Sequence, residues 1–298
     1  MDDLKKTTTK DGSFSLYSLN YEEGFHDMDG ALKESINKYL LPAQLDQFSN
    51  TEKIVVLDIC MGLGYNTGCI LEELLKQNHK IEWHGLEIDQ RPLNIALNEK
   101  IFQDLWSPTV LDFFNCLKES GKWVEGFNEG TIHWGDARQK ISEINDSLRV
   151  DLILLDPFSP QKCPELWSEQ FISLLAARLS LNGRLITYSS AASIRASLKK
   201  AGLKIYSIMS SMDKEKKWSS GTVAMKTPLK QQFISKNFQI KDLSNRELEH
   251  LTTRSSIPYR DPTGSRSSKE IISTRENEQS KSQLKNTSSW RKKWNTAQ

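Results

Sequence analysis

Val56-Leu57-Asp58-Ile59-Cys60-Met61-Gly62-Leu63-Gly64 decides the fold. It reads as a nearly continuous apolar strand, Ile54–Ile59, that runs into a glycine-rich turn, the pattern of a strand covered on both faces in a parallel sheet. Glycine at the end of such a strand lets a ligand approach the backbone, because no Cβ stands in the way. A helix follows from about Thr67 to Gln77, with Ile70, Leu71, Leu74 and Leu75 at helical spacing.

Outward from this unit, apolar runs alternate with amphipathic stretches as far as Lys226, as in successive βαβ units. Further strands are expected at Ile81–Glu87, Thr131–Trp134, Asp151–Leu155 and Arg184–Ser189. A helix is expected near Pro164–Leu179, stopped at Asn182-Gly183, and another closing at Ala201-Gly202. Residues 101–128 form an aromatic insertion (Phe102, Trp106, Phe113, Phe114, Trp123, Phe127), read as helical packing over the sheet. Two final strands, Leu203–Ser210 and Gly221–Lys226, lie too close for a helical crossover and should pair antiparallel. The expected fold is therefore α/β: a Rossmann-like, doubly wound sheet with an antiparallel terminal strand pair, the class I methyltransferase layout, plus a basic C-terminal tail. Three segments are expected: 1–50 packing on the catalytic domain, 51–229 the catalytic domain, and 230–298 a basic, partly disordered extension.

Charge divides the chain in the same way. Residues 230–298 hold 14 Lys/Arg against 7 Asp/Glu, whereas residues 1–229 hold 26 against 31, within an overall net charge of +2. A basic appendage on an acidic body suits a polyanionic substrate. In the tail, Trp290-Arg291-Lys292-Lys293-Trp294 sets two aromatics around three cations, a combination that can neutralise phosphates and stack on bases. Cys60, Cys69, Cys116 and Cys163 form no Cys-x-x-Cys pair and have no histidine at ligand spacing, so no metal is expected, and four unpatterned thiols suit a reducing, cytoplasmic setting. No apolar run is long enough to span a bilayer, so no membrane partner is expected.

The strand tips carry the chemistry. The glycine turn lacks the full dinucleotide pattern, and an acid, Asp58, stands beside it. That favours S-adenosylmethionine, which carries an ammonium and a sulfonium and no phosphate, over a nicotinamide cofactor. Glu87 ends the second strand and can accept from ribose hydroxyls, with Asp89 as a competitor; Asp136 after the third strand can accept from an adenine amino group. With Gly62, Gly64, Asn66 and Ala137 these form the expected cofactor site. Asp156 ends the fourth strand, where a carboxylate can hold an acceptor amine and take its proton. Phe158 can wall the pocket or stack on a base.

Four segments resemble the methyltransferase domain of the tRNA 5-(methylaminomethyl)-2-thiouridine biosynthesis (MnmC-type) family, together covering residues 20–226. Phe25-His26-Asp27-Met28-Asp29-Gly30-Ala31 with Glu34-Ser35 resembles its opening Y/F-H-S-x-x-G-A-x-x-E-S. Asp58–Asn66 is similar to E-I-G-F-G-T-G-L-N. Asp156-Pro157-Phe158-Ser159-Pro160-Gln161-Lys162-Cys163-Pro164-Glu165-Leu166-Trp167 is similar to D-G-F-A-P-x-K-N-P-E-M-W. Thr187–Ala191 with Ile194-Arg195 resembles T-F-T-S-A-x-x-V-R.

The resemblance implies methyl transfer from S-adenosylmethionine to the aminomethyl group of a tRNA wobble uridine, with the anticodon loop as partner. It implies Asp156 as the active-site aspartate, Glu87 and Asp136 as cofactor acids, and His26, Phe158, Lys162 and Arg195 on the substrate side. Some members carry a fused FAD-dependent oxidase; this chain is expected to act as the stand-alone methyltransferase, its aminomethyl intermediate supplied by separate enzymes. Cys60 for the first loop glycine, Asp27 for a serine and Pro157 for a glycine depart from the family. The basic loop after the fifth strand is only loosely echoed by Asp213–Trp218. Two other readings stay open: an N-methyltransferase for a different amine, and a non-catalytic RNA-binding protein with a methyltransferase-like fold.

Overall fold

A computed structural model describes residues 3–48, 51–210, 218–229, 232–234 and 238–295. The chain divides into two compact units, Met1–Phe158 and Ser159–Gln298. This division falls within the segment 51–229 that composition marks as one domain.

In the first unit, β1 (Leu4–Thr8), β2 (Phe14–Ser18) and β3 (Glu23–Gly24) form a small antiparallel sheet. Helical turns at Ala31–Ser35, Ile36–Leu40 and Leu41–Ala43 follow. The larger set comprises β4 (Lys53–Ile59), β5 (Lys80–Glu87), β6 (Lys122–Glu125), β7 (Asn128–Trp134) and β8 (Val150–Leu155). β4 lies parallel between β8 and β5, β7 runs parallel beside β5, and β6 closes the edge antiparallel to β7. Parallel register brings the carboxyl ends of β4, β5, β7 and β8 to one edge, which is why Asp58, Glu87, Asp136 and Asp156 all fall there. Val56, Leu57, Leu152 and Leu154 are shut off from solvent, as strands covered on both faces require.

The helix Tyr65–Lys76 packs so closely beside the insertion that a Cβ at Gly68 would stand 2.6 Å from the Trp106 ring. The insertion does hold helices, Lys100–Gln103 and Pro108–Ser120, the latter capped by Ser107 and ended by left-handed Gly121. Its last part is strand, not helix: β6 buries Trp123 against Phe113, with centroids 5.2 Å apart, while Val124 on the other face is exposed. Alternating burial over four residues is too short a signal to read from sequence.

In the second unit, the helix Glu169–Arg178 passes directly into β9 (Leu179–Thr187). Asn182-Gly183, expected to stop a helix, therefore lies inside a strand; fully buried Leu179 begins the extended backbone earlier. β10 (Lys204–Ser210) and β11 (Gly221–Met225) pair antiparallel as expected, and β11 inserts beside β9, also antiparallel. β12 (Phe233–Ile234) and β13 (Phe238–Lys241) extend this set beyond β10.

The segment after Lys241 is folded rather than extended. It carries the helices Asn245–His250, Ser268–Lys281 and Thr287–Asn295, the first two opened by capping boxes at Ser244/Glu247 and Ser267/Glu270. Ser-x-x-Glu at both sites was the available signal. Glu169 N–H donates to the Tyr259 carbonyl at 2.9 Å, and Tyr259, Thr253 and Ile271 are buried, so the segment contributes to the unit's core. No helix among the described residues is long and apolar enough to cross a membrane.

Candidate active site

The turn after β4 is made by backbone that favours glycine. Gly62 and Gly64 have φ of 57° and 98°, and a Cβ on Gly64 would stand 2.7 Å from the Phe114 ring. Cys60 also lies in the left-handed region, at φ 65°, its N–H donating to the Leu86 carbonyl. A side chain there carries a conformational cost that glycine would not.

Asp58 sits beneath this turn, fully buried. One carboxylate oxygen accepts from the Thr67 hydroxyl, and the other has no hydrogen-bond partner among the described residues. Burial pushes its pKa up to about 7, against the Thr67 hydrogen bond, with the charge of Glu87 adding to the rise.

Glu87 closes β5 with a carboxylate that gathers backbone. Oε2 accepts from Gly62 N–H at 2.9 Å, and Oε1 accepts from Ile88 N–H at 2.7 Å and Asp89 N–H at 2.9 Å. Burial raises its pKa despite those donors. The competitor, Asp89, is turned to Arg91. Asp136 caps the helix Ala137–Lys140 through Arg138 N–H, and its carboxylate is paired with the Arg138 guanidinium at 2.7 Å. Sequence gave no sign of that pairing, which comes from a neighbour two residues away.

Asp156, past the end of β8, is held by two side-chain donors. Oδ1 accepts from the Tyr39 hydroxyl at 2.5 Å, and Oδ2 accepts from Asn66 Nδ2 at 2.7 Å. Burial and the charge of Glu34 lift its pKa well above the usual carboxylate range, while the two hydrogen bonds work the other way. Asn66, expected at the cofactor, thus gives its amide to the acid of the fourth strand. Tyr39, 117 positions away, was missed: nothing local distinguishes it from a core tyrosine, and it is 1% exposed.

The substrate-side residues differ in their surroundings. Phe158 stacks on Tyr21, with centroids 4.3 Å apart and planes at 19°, and meets Phe25 edge-on at 5.0 Å. Phe25 in turn lies over the glycine turn, 3.3 Å from where a Gly62 Cβ would be. His26 hydrogen-bonds Ser15 Oγ through Nδ1 at 2.9 Å, and burial lowers its pKa to about 4, so the ring is neutral at pH 7. Lys162 lies in the turn whose N–H returns to the Ser159 carbonyl.

Arg195 is a different kind of residue from the one expected. It is 2% exposed, and its guanidinium is spent inside the second unit. It donates to Glu247 Oε1 at 2.8 Å, Thr222 Oγ1 and Ser219 Oγ at 2.9 Å, and the Gly221 carbonyl at 3.1 Å. The arginine fastens β11 to the helix Asn245–His250. Lys214, Lys216 and Lys217 lie outside the described residues.

Comparison with known proteins agrees with this geometry. Residues 101–224 match the family described as S-adenosyl-L-methionine-dependent methyltransferase. An uncharacterized protein of Methanocaldococcus jannaschii is 29% identical over 280 residues, 92% of this chain and 72% of its own. The tRNA 5-methylaminomethyl-2-thiouridine biosynthesis bifunctional protein MnmC of Azoarcus sp. is 26% identical over 201 residues, 63% of this chain. The chain spans only 31% of that relative's length. The crystal structure of MnmC2 from Aquifex aeolicus superimposes with a TM-score of 0.77 at 26% identity, over 94% of this chain and 86% of that one.

The fold is therefore the class I methyltransferase fold, and the chain is an enzyme of that class that uses S-adenosylmethionine. Within the class it is similar to the MnmC-type methyltransferase domains.

Proposed function

We propose that the chain methylates the aminomethyl group of a tRNA wobble uridine to methylaminomethyl, with Asp156 as the carboxylate that receives the amine. The observation that carries this reading is the clamp on Asp156: two neutral donors, Tyr39 and Asn66, fix both oxygens of a buried acid at the carboxyl edge of the sheet. An acid held this way is oriented by neutral hydrogen-bond donors and can receive a proton from an amine.

The residues around the turn fit S-adenosylmethionine. Bare backbone at Gly62 and Gly64 admits close approach, and the buried Asp58 carboxylate with its unpartnered oxygen favours a cationic ligand. Glu87, with Ile88 exposed beside it, is the acid for the ribose hydroxyls. Asp136 and Ala137 would hold the adenine end, Asp136 after sharing its carboxylate with Arg138. When bound, the cofactor supplies an electrophilic methyl on a sulfonium that departs as a neutral thioether.

A primary aminomethyl group is largely protonated near neutral pH and must lose a proton to become a nucleophile. Asp156, its proton affinity raised by burial, accepts that proton and keeps the amine hydrogen-bonded, so that the lone pair faces one direction. With the cofactor bound, the amine would take up the methyl group, and Asp156 would keep the proton it removed until the product, a secondary ammonium, leaves. The Tyr21–Phe158–Phe25 group offers ring surface for the uracil.

The test is to incubate the purified protein and S-adenosylmethionine with tRNA bearing aminomethyl-uridine at the wobble position, and to analyse its nucleosides by mass. Conversion to methylaminomethyl-uridine is expected. Absence of conversion by protein that binds the cofactor would reject this substrate in favour of another amine.

A further inference from the structure

The turn after β5 sets where the cofactor acid lies. Glu87 Oε1 accepts from Ile88 N–H and Asp89 N–H, so its carboxylate depends on how the chain runs from 88 to 91. Asp89 shapes that turn: its Oδ1 accepts from Arg91 N–H at 2.9 Å, and Pro92 stiffens the start of the helix Arg91–Ala96. The Arg91 guanidinium then closes on the same acid. Nε lies 2.9 and 3.0 Å from the two Asp89 oxygens, and Nη2 donates to Oδ2 at 2.6 Å.

The other edge of this guanidinium reaches a residue 88 positions away. Nη1 donates to Asp3 Oδ1 at 2.6 Å and Nη2 to Asp3 Oδ2 at 3.0 Å. Asp3, just ahead of β1, also holds the turn between β2 and β3. Its carbonyl accepts from Leu19 N–H and its Oδ2 from Asn20 Nδ2, each at 2.7 Å. The next residue of that turn is Tyr21, whose ring stacks on Phe158. One guanidinium therefore joins the turn beside the cofactor acid to the turn that carries an acceptor-side aromatic. An isolated exposed ion pair fixes little, but here a planar fork grips two carboxylates, which a point charge cannot reproduce. Arg91 also acts through charge. Burial raises the proton affinity of Glu87 and the charge of Asp89 adds to the rise; a cation seated on Asp89 offsets that repulsion.

We propose that Arg91 is a positioning residue for the cofactor site, holding the turn whose N–H groups orient Glu87, and that Asp3 braces it from the stretch ahead of β1. This rests on the reading of Glu87 as the acid for the ribose hydroxyls. Arg91 acts through Glu87 and is assigned no contact with the cofactor itself.

The test uses the full-length chain with Arg91→Met, which keeps the stem and removes the fork, Arg91→Lys, which restores charge alone, and Asp3→Asn. Lys6→Met is the control: it removes a neighbouring ion pair, from β1 to Glu99 at 2.5 Å, that lies outside the Glu87 turn. S-adenosylmethionine affinity is measured by calorimetry, with thermal unfolding alongside. Arg91→Met is expected to weaken affinity about 3- to 10-fold, the scale of a small charge network, with a melting temperature near wild type. Arg91→Lys falls between it and wild type. Asp3→Asn weakens affinity by less, and adding it to Arg91→Met causes no further loss, because both act through one contact. Lys6→Met binds as wild type does. If Lys6→Met loses as much affinity as Arg91→Met, the effect is general to the small sheet and the positioning role is wrong. If Arg91→Met binds as wild type does while Glu87→Gln binds more weakly, the role is again wrong but the cofactor acid stands. If Glu87→Gln also binds as wild type does, the reading of Glu87 fails with it.

Discussion

The Tyr39 hydroxyl donates to Asp156 Oδ1 at 2.5 Å, joining the helical turns that precede β4 to the acid that follows β8. A hydrogen bond to the charged form of an acid lowers its pKa, so Tyr39 restrains a proton affinity that burial has raised.

Tyr39→Phe removes this donor and leaves the ring. Methyl transfer is expected to slow by roughly 10- to 150-fold, the rate equivalent of about 1.5–3 kcal/mol for a hydrogen bond to a charged group. Cofactor affinity should not change. The limb of the pH–rate profile that reports Asp156 should move to higher pH, because the acid has lost a group that lowers its pKa. An unmoved limb with wild-type rate would make the contact incidental.

Glu87→Gln keeps an oxygen for the Gly62 N–H but loses the charge. Cofactor binding is expected to weaken by about 1–3 kcal/mol, read by calorimetry, with the folded state intact. The same loss in Asp89→Asn, and none in Glu87→Gln, would transfer the ribose role to the competitor.

Asp58 predicts a pH dependence of stability. Its folded pKa, about 7, lies above the ordinary 3.8, so the folded state holds the proton more tightly. Its contribution is fully present below pH 3.8 and is lost as pH rises towards 7. Asp58→Asn should remove up to about 1.4 kcal/mol per pH unit from the unfolding free energy's slope within that window. Chemical denaturation of both proteins at pH 4.5, 5.5 and 6.5 measures it, and parallel curves would contradict the assignment.

Arg195→Met leaves Glu247 buried beside three hydroxyls but without its cation. Burial alone would raise the pKa of Glu247; the charge of Arg195, with Ser219, holds it near 2. The variant should lose about 3–5 kcal/mol of stability, the scale for breaking a buried pair. A variant of wild-type stability that shows only a raised KM for tRNA would restore the substrate role.

The order of strands and the four acids at their ends were legible because period-2 and continuous apolar runs, glycine turns and chain order carry that information locally. The partners of those acids were not. Tyr39 reaches Asp156 across 117 positions, and Arg195 reads as a motif residue until β11 and Glu247 enclose it. The tail misled through composition: its polar average hides two capping boxes and the buried Tyr259 and Ile271. Removal of the segment after Thr253 would therefore strip core residues from the second unit.

The central claim is that Asp156 serves the acceptor amine and not the cofactor. Asp156→Asn, which keeps shape and removes the charge, should be assayed twice: for S-adenosylmethionine affinity by calorimetry and for single-turnover methylation of aminomethyl-uridine tRNA. The account predicts cofactor affinity within a few-fold of wild type and loss of methyl transfer by at least about 100-fold, the lower end of general acid–base contributions. A folded variant that loses cofactor binding, or one that methylates at the wild-type rate, would contradict it.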